Sequence, residues 1–415
     1  MHELQRRQFV RIAFLVACVA PTLLVIGFAI RVRLPSYASS YAEAIALATD
    51  TNVRIDQVLH PKPHVTRFAN LQVFALENHN LLLQASCLDV VRTDMGFEIH
   101  GDLELHANAA TVWRILQRQL RQRAQSRRRV TLSCDKLLWH SDWSTQTFCD
   151  VRCDLKSIVS DSESDLDEVG TNFICSFRDT ETASEKTATV AIQRTVVGGR
   201  SQAKLIVRTN QHAVKPSILF PSWHSYSGES TVLGELQAVY ESEAWRGSAT
   251  NIQWRGLSGK HLVGERFLPL RMTGEFEVRN ASCKFSDRRI ENTSGEVVSR
   301  NGLLYDALVR RLPDAGFEIA KTGQGPYQLQ ESSFAFSVGA DGCRIHGLCN
   351  ANGLAKRPIA IGESLRITAP SSAIRIDDLV SIWATPTNQR ALRFVEDLRH
   401  HLPLDRLRVS DRPVR

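Results

Sequence analysis

The amino-acid sequence predicts a mostly β protein with a few α-helices (α+β): an N-terminal transmembrane helix followed by an elongated, curved antiparallel sheet, groove- or sandwich-like. Three observations carry that expectation. Residues 12–30 (IAFLVACVAPTLLVIGFAI) contain no charged side chain. Beyond them, short stretches alternate apolar and polar residues at the period of a half-buried strand. Helical periodicity appears in only a few places, with no strand–helix–strand rhythm of the kind that builds a doubly wound parallel sheet.

The apolar run is preceded by Arg6, Arg7 and Arg11 and followed by Arg31 and Arg33. About 19 residues at 1.5 Å each span about 28 Å as a helix, close to the hydrocarbon thickness of a bilayer. The run is longer than the core of a cleaved signal, although YASSYA (residues 37–42) resembles a cleavage site. We therefore expect an uncleaved single-pass anchor in residues 1–35. The arginine balance favours an N-terminus inside and a body outside. Pro21 lies mid-run, where a bilayer helix tolerates a kink.

Residues 41–49 (YAEAIALAT) read as a short helix, and the period then changes. Val53 and Ile55 alternate with Arg54 and Asp56 up to a turn at Pro61–Pro63. Residues 65–76 continue the alternation to a turn at residues 78–80. In residues 97–105, Phe97, Ile99, Leu103 and Leu105 alternate with Glu98, His100, Asp102 and Glu104, the clearest half-buried strand of the chain. Residues 109–123 place Val112, Ile115, Leu116 and Leu120 on one helical face and arginines on the other. Strand signals follow at residues 130–134, 148–155, 173–177, 190–192 and 205–207. They resume at 236–240, 249–254, 272–278, 296–299, 334–338, 343–349 and 365–367. A helix is expected over residues 303–312 (LLYDALVRRL), another beginning near Asp377, and a last amphipathic one through Leu392, Val395, Leu398 and Leu402. The domains read as 1–35 anchor, 36–235 first β-rich module with the amphipathic helix, 236–375 second β-rich module, and 376–415 C-terminal helical segment.

Composition supports a folded body: 43% hydrophobic and 23% charged residues over 415 exclude a disordered tail. The net charge of +7 is concentrated in residues 114–129 (RILQRQLRQRAQSRRR), the flanks of the apolar run and the C-terminus. A basic helix beside an anchor is a solvated face or a contact to anionic lipid. Nucleic acid is not expected as a partner, because RNP, zinc-finger and basic-zipper patterns are missing.

Outside the run lie Cys87, Cys134, Cys149, Cys153, Cys175, Cys283, Cys343 and Cys349. An exported body would oxidise some of them. The hairpin-like GADGCRIHGLCNANG makes Cys343–Cys349 the expected bridge, with Cys149–Cys153 next. No CxxC or Cys/His zinc spacing is present, so no metal is expected. The acidic loop at residues 160–170 lacks the calcium-loop pattern and reads as a solvated loop. GxSxG, Walker A, GxGxxG after a strand, HExxH and kinase signatures are absent. His346, the pair His400–His401 and the Ser/His/Glu-rich residues 222–230 form no recognisable triad. No residue is therefore expected to be catalytic, cofactor-binding or metal-ligating, and the chain is not expected to be an enzyme.

A membrane helix, a short Ala-rich helix and then TNVRIDQVLHPKPHVTRFANLQVFALENHNLLLQASCLDVV resemble the N-terminal module of AsmA-like proteins. Asp50-Thr51-Asn52 stands where that family has a Thr-Gly turn. Residues 272–312 are similar to the superfamily's late strands and closing helix. The resemblance implies a single-pass inner-membrane protein with a periplasmic β-rich body. Its apolar groove would shield or transfer lipid between membranes, or support outer-membrane assembly. Membrane phospholipids, through their acyl chains, and other envelope proteins are the implied partners. A filled sandwich core serving as a membrane-anchored scaffold gives the same alternation, and the residues alone leave both open.

Overall fold

The computed structural model describes residues 11, 14–77, 79–107, 109–122, 128–140, 145–159, 169–179, 187–197, 200–215, 230–241, 244–259, 272–287, 289–350 and 356–382. Nineteen strands are described and dominate the chain, which divides into two compact units, Met1–Ile158 and Val159–Arg415.

The first unit begins with a π-helical turn, Leu15–Val19, followed by helix α1, Ala20–Arg33. Among the described residues no helix is long and apolar enough to cross a membrane, which corrects the expectation of one continuous membrane helix over residues 12–30. The interruption has a local cause. Pro21 occupies the first turn of α1. Its ring lacks an N–H and crowds the carbonyl of Ala17, so the preceding turn widens. Every α1 residue except Val32 is exposed, and none is buried. Leu23, Leu24, Val25, Ile26, Phe28 and Ile30 are each about half exposed or more.

Helix α2, Pro35–Thr49, is longer than the sequence suggests, because Pro35 starts it after the extended Leu34. Asp50 closes it in the left-handed conformation at φ 53°, the place glycine usually takes. Strands β1 (Asn52–Lys62), β2 (Val65–Phe74) and β3 (Leu81–Arg92) form an antiparallel meander. Ile55, Leu71 and Ala85 lie opposite one another, as do Val58, Phe68 and Leu88, and all six are buried. Tyr41 of α2 stands edge-on to Phe68 with ring centroids 5.8 Å apart, so α2 roofs this face.

The strand expected over residues 97–105 is divided into β4 (Gly96–His100) and β5 (Leu103–Leu105). At the break, a Cβ on Gly101 would meet the carbonyl oxygen of Cys87 at 2.4 Å. Helix α3, Ala109–Gln122, then crosses over, and β6 (Arg129–His140) returns parallel to both β4 and β5. The antiparallel expectation thus gives way to one strand–helix–strand crossover, with the helix linking parallel neighbours. Leu120 of α3 is 1% exposed, and Arg118 pairs with Asp50 at the end of α2. The basic block is therefore partly neutralised: Arg129 also makes a two-pronged contact to Asp154 at 2.7 and 2.9 Å. Strand β7, Thr145–Val159, pairs antiparallel with β6.

The second unit opens with a meander of six strands: β8 (Val169–Asp179), β9 (Ala188–Val197), β10 (Arg200–Arg208), β11 (Thr231–Glu241), β12 (Ala244–Ser258) and β13 (Met272–Ser286). It continues into β14 (Arg289–Leu304). The helix expected over residues 303–312 is replaced. Leu303 and Leu304 complete β14, pairing with Thr273 and Met272 on one side and with Gln328 and Tyr327 on the other. Only Asp306–Val309 (α4) is α-helical, and a 3₁₀ turn, Leu312–Ala315, follows. Ladder hydrogen bonds on both edges outweigh the helical preference of LLYDALVRRL. Strands β15 (Glu318–Lys321), β16 (Tyr327–Gly339), β17 (Gly342–Gly347), β18 (Ala360–Gly362) and β19 (Leu365–Thr368) and helix α5 (Ile376–Ser381) finish the unit. Leu308, Val309, Phe317, Tyr327, Leu329, Leu365, Ile367 and Ile382 belong to one buried core. The last amphipathic helix, residues 222–229 of the Ser/His/Glu-rich stretch, the pair His400–His401 and residues 160–168 of the acidic loop lie outside the described residues, whereas Ser230 is fully buried and accepts a hydrogen bond from Trp254 Nε1 at 3.0 Å.

Left-handed Asn and Asp residues recur inside strands: Asn70, Asp150, Asn251, Asn280 and Asn301 have φ between 49° and 58°. Several fall at breaks of register. Asn251 lies where β12 shifts against β13, Asn280 where β13 shifts against β14, and Asn301 in the β14 step between Arg300 and Leu303 opposite Glu275 and Thr273. Each such bulge bends its strand and reverses which parity faces the core. On β1, Ile55 and Val58 are both buried although three apart, and the left-handed Asn70 of β2 lies between their partners Leu71 and Phe68.

The expected cysteine bridges are not formed. The turn of the β16–β17 hairpin falls at Ala340–Asp341, which leaves Cys343 and Cys349 on the same side of it. Six residues of extended chain separate them, up to about 20 Å, far beyond the Cα spacing of a disulfide. Cys149 and Cys153 lie four residues apart on β7 and fail for the same reason. Burial pushes both Cys343 and Cys349 up to about 11.

Candidate functional site

The second unit presents an apolar sheet face, and strand register shows how the sequence makes it. Residues directly opposite in an antiparallel ladder point to the same side. One cross-strand row runs Phe173, Ile192, Leu205, Ala238, Gly247, Phe285. The next runs Cys175, Val190, Val207, Leu236, Ala249, Cys283. A third adds Ala203, Tyr240 and Trp245, whose last two rings lie 5.2 Å apart. Six strands at about 4.8 Å spacing make this band about 24 Å wide.

The opposite face is of different character. Its rows read Asn172, Gln193, Lys204, Val239, Arg246, Ser286, then Ile174, Ala191, Ile206, Gln237, Ser248, Lys284, and then Ser176, Thr189, Arg208, Glu235, Thr250, so it is predominantly polar with an apolar stretch at Ile174, Ala191 and Ile206. Gln193, Lys204, Gln237, Arg246 and Lys284 are exposed. An antiparallel sheet with one wet face and one apolar face needs a cover for the latter.

In the first unit α2 supplies such a cover. In the second, the described helices α4 and α5 are committed elsewhere, with Leu308, Val309 and Leu379 in or against the core around Tyr327 and Ile367. Along the band, Ile192 and Ala238 are buried at 2% and 4% exposure. Phe173, Val190, Leu205, Leu236, Tyr240, Trp245 and Phe285 remain half-buried. The centre is shielded and its surroundings keep apolar area available. No titratable group lies in the two central rows apart from Cys175 and Cys283, and burial raises the Cys283 thiol above its usual range. Such a surface excludes water and holds apolar matter, and it offers no acid, base or activated nucleophile.

A second cluster, in the first unit, escaped the sequence reading. Glu104 on β5, His106 two residues further on and His140 at the end of β6 bring ligand atoms within 4.8 Å of one another. Parallel pairing of Glu104 with Leu138 and Leu105 with Trp139 carries His106 alongside His140. The two imidazoles stack with centroids 4.5 Å apart at 12°. The cue in the sequence was Glu104-x-His106, one face of a strand. Nothing in it announced that β5 and β6 run side by side through the α3 crossover.

Other singled-out residues are not brought together. His346 lies exposed on β17 opposite Ala335, and Arg114 and Arg121 of the basic helix are exposed. No family model matches the chain, no curated protein matches its sequence, and no solved structure matches its fold.

Proposed function

We propose that this chain is a single-pass membrane protein of the inner membrane whose extracytoplasmic β-rich body shields or transfers lipid on the apolar band of its second unit. The observation that carries the reading is the two-row band from Phe173 to Phe285 and from Cys175 to Cys283, backed by a more polar opposite face. Phospholipid acyl chains are the ligand that matches it. Each methylene moved from water onto such a surface contributes about 0.8 kcal/mol, so eight along the band give about 6 kcal/mol before ordering costs. Binding of this kind needs a continuous wall and no catalytic group.

The N-terminus supports the membrane part of the reading. The π-helical turn Leu15–Val19 runs into α1, whose apolar side chains from Ala20 to Ile30 are all exposed, and arginines stand at either end of the stretch. A helix that is apolar on every side and buries none of its residues against its own body is suited to lipid. The resemblance of residues 41–105 to AsmA-like modules points the same way.

The test is lipid analysis of the full chain purified in mild detergent. Phospholipid retained in a fixed ratio, and lost when Leu205 and Leu236 are both replaced by Asp, is the expected result. A lipid-free protein, or equal retention by the double variant, would overturn the proposal.

A further inference from the structure

We propose that Glu104, His106 and His140 form a binding site for a divalent transition-metal ion, with Zn²⁺ the best match to the donor set. The argument starts from a nitrogen. Nε2 of His106 is buried and has no hydrogen-bond partner among the described residues, although it is a polar atom that always seeks one. The carboxylate that faces it, Glu104 Oε2, is 3.7 Å away, too far for a hydrogen bond. A metal ion between them would satisfy both.

The surroundings suit that role. Thr145 Oγ1 lies 3.0 Å from His140 Nδ1, so the second imidazole has one nitrogen held and Nε2 left to bind. A ring oriented through its other nitrogen is the usual support of a metal-ligating histidine. The backbone N–H of His106 donates to Leu82 O at 2.8 Å, and Trp139 Nε1 donates to Ala107 O at 2.7 Å. These bonds fix the chain on both sides of the cluster.

Two imidazoles and a carboxylate are borderline ligands, suited to Zn²⁺ and poorly suited to Ca²⁺ or Mg²⁺. With bonds of about 2.0–2.2 Å, tetrahedral Zn²⁺ holds its ligand atoms about 3.3–3.5 Å apart. Glu104 and His106 are already near that separation. Closure requires the stacked rings, 4.5 Å apart, to turn their Nε2 atoms toward one point, with the rotatable Thr145 hydroxyl following His140 Nδ1. Three protein ligands leave the fourth position to water. The site joins the end of β6 to the segment that enters α3, so an ion there ties the crossover helix to the sheet.

The experiment uses the detergent-solubilised full chain stripped of metal, titrated with Zn²⁺ by calorimetry and with Co²⁺ by absorption. One Zn²⁺ bound per chain is expected, with Co²⁺ giving d–d bands and no thiolate charge-transfer band. H106A and H140A should each weaken binding at least tenfold with an unchanged far-UV spectrum. Because a change at the partly buried His106 could disturb folding, H140Q is the decisive variant. It should abolish the Zn²⁺-induced rise in unfolding temperature while keeping the metal-free unfolding temperature. Absence of binding, a thiolate band, or unchanged affinity in H140Q would overturn the site.

Discussion

The hydroxyl of Tyr37 lies 2.6 Å from Nε2 of His60, which joins helix α2 to strand β1 just past the apolar N-terminal helix. Phe28 of that helix also reaches His60, with ring centroids 6.2 Å apart. Burial, with a contribution from Tyr41, pushes the Tyr37 phenol up to about 12, so it stays protonated across the neutral range. Y37F should cost about 1 kcal/mol of stability in the first unit. Thermal unfolding of the full chain reads that loss. An unchanged midpoint would show that the bond holds nothing.

The left-handed bulges give a second prediction. Asn251 and Asn280 adopt φ of 54° and 49° within strands. A residue with a Cβ and no polar side chain costs about 1 kcal/mol more there, whereas glycine adopts the conformation freely. N251A and N280A should each lower the unfolding midpoint, and N251G and N280G should stay near the native value. Equal losses in both series would mean that the Asn side chains, and not the backbone, hold the bends.

Acid provides a third. Arg67 grips Asp89 across β2 and β3 with two hydrogen bonds of 2.6 and 2.7 Å, and chiefly through them holds its carboxyl below the usual range. A carboxyl lowered in the folded state adds stability that is complete above its ordinary value near pH 4 and is lost as pH falls through the lowered value. D89N should therefore be less stable than the native chain at pH 7, and the two should converge as the pH falls below the ordinary carboxylate range. A constant gap across that range would contradict the assignment.

The core of the second unit supplies a fourth. Tyr327 is 1% exposed, and its hydroxyl donates to Asp306 Oδ1 at 3.0 Å or to Gly323 O at 3.2 Å. Y327F should cost about 1–2 kcal/mol, and Y327A about 3–5 kcal/mol because it also opens a cavity. Denaturant unfolding distinguishes the two.

Much of the fold was legible where one period governs a strand. Val190 and Ile192, Leu205 and Val207, and Phe334, Phe336 and Val338 alternate cleanly, and each set lies on a strand. Helix α3 was legible too, because arginines and aliphatic residues separate at helical spacing. The rest was hidden for physical reasons. Asn251 and Asn280 reverse parity inside a strand, so alternation fails on crossing them. Leu303 and Leu304 are good helix formers that two neighbouring strands capture. His106 and His140 are 34 positions apart and meet only through a parallel crossover, which neither local sequence signals. The apolar band was expected as alternation, but which apolar residues share one face depends on register. That is set by the hairpins between β8 and β13.

Site-specific photo-cross-linking in native membranes tests the central claim most directly. A photoreactive residue would replace Leu205 or Leu236 on the apolar band, and Lys204 or Gln237 on the opposite face of the same strands. Phospholipid adducts, identified by mass spectrometry, should form from positions 205 and 236 and be absent from 204 and 237. Equal labelling of the two faces, or none from the band, would contradict an acyl-chain surface and leave the band as the covered face of an ordinary core.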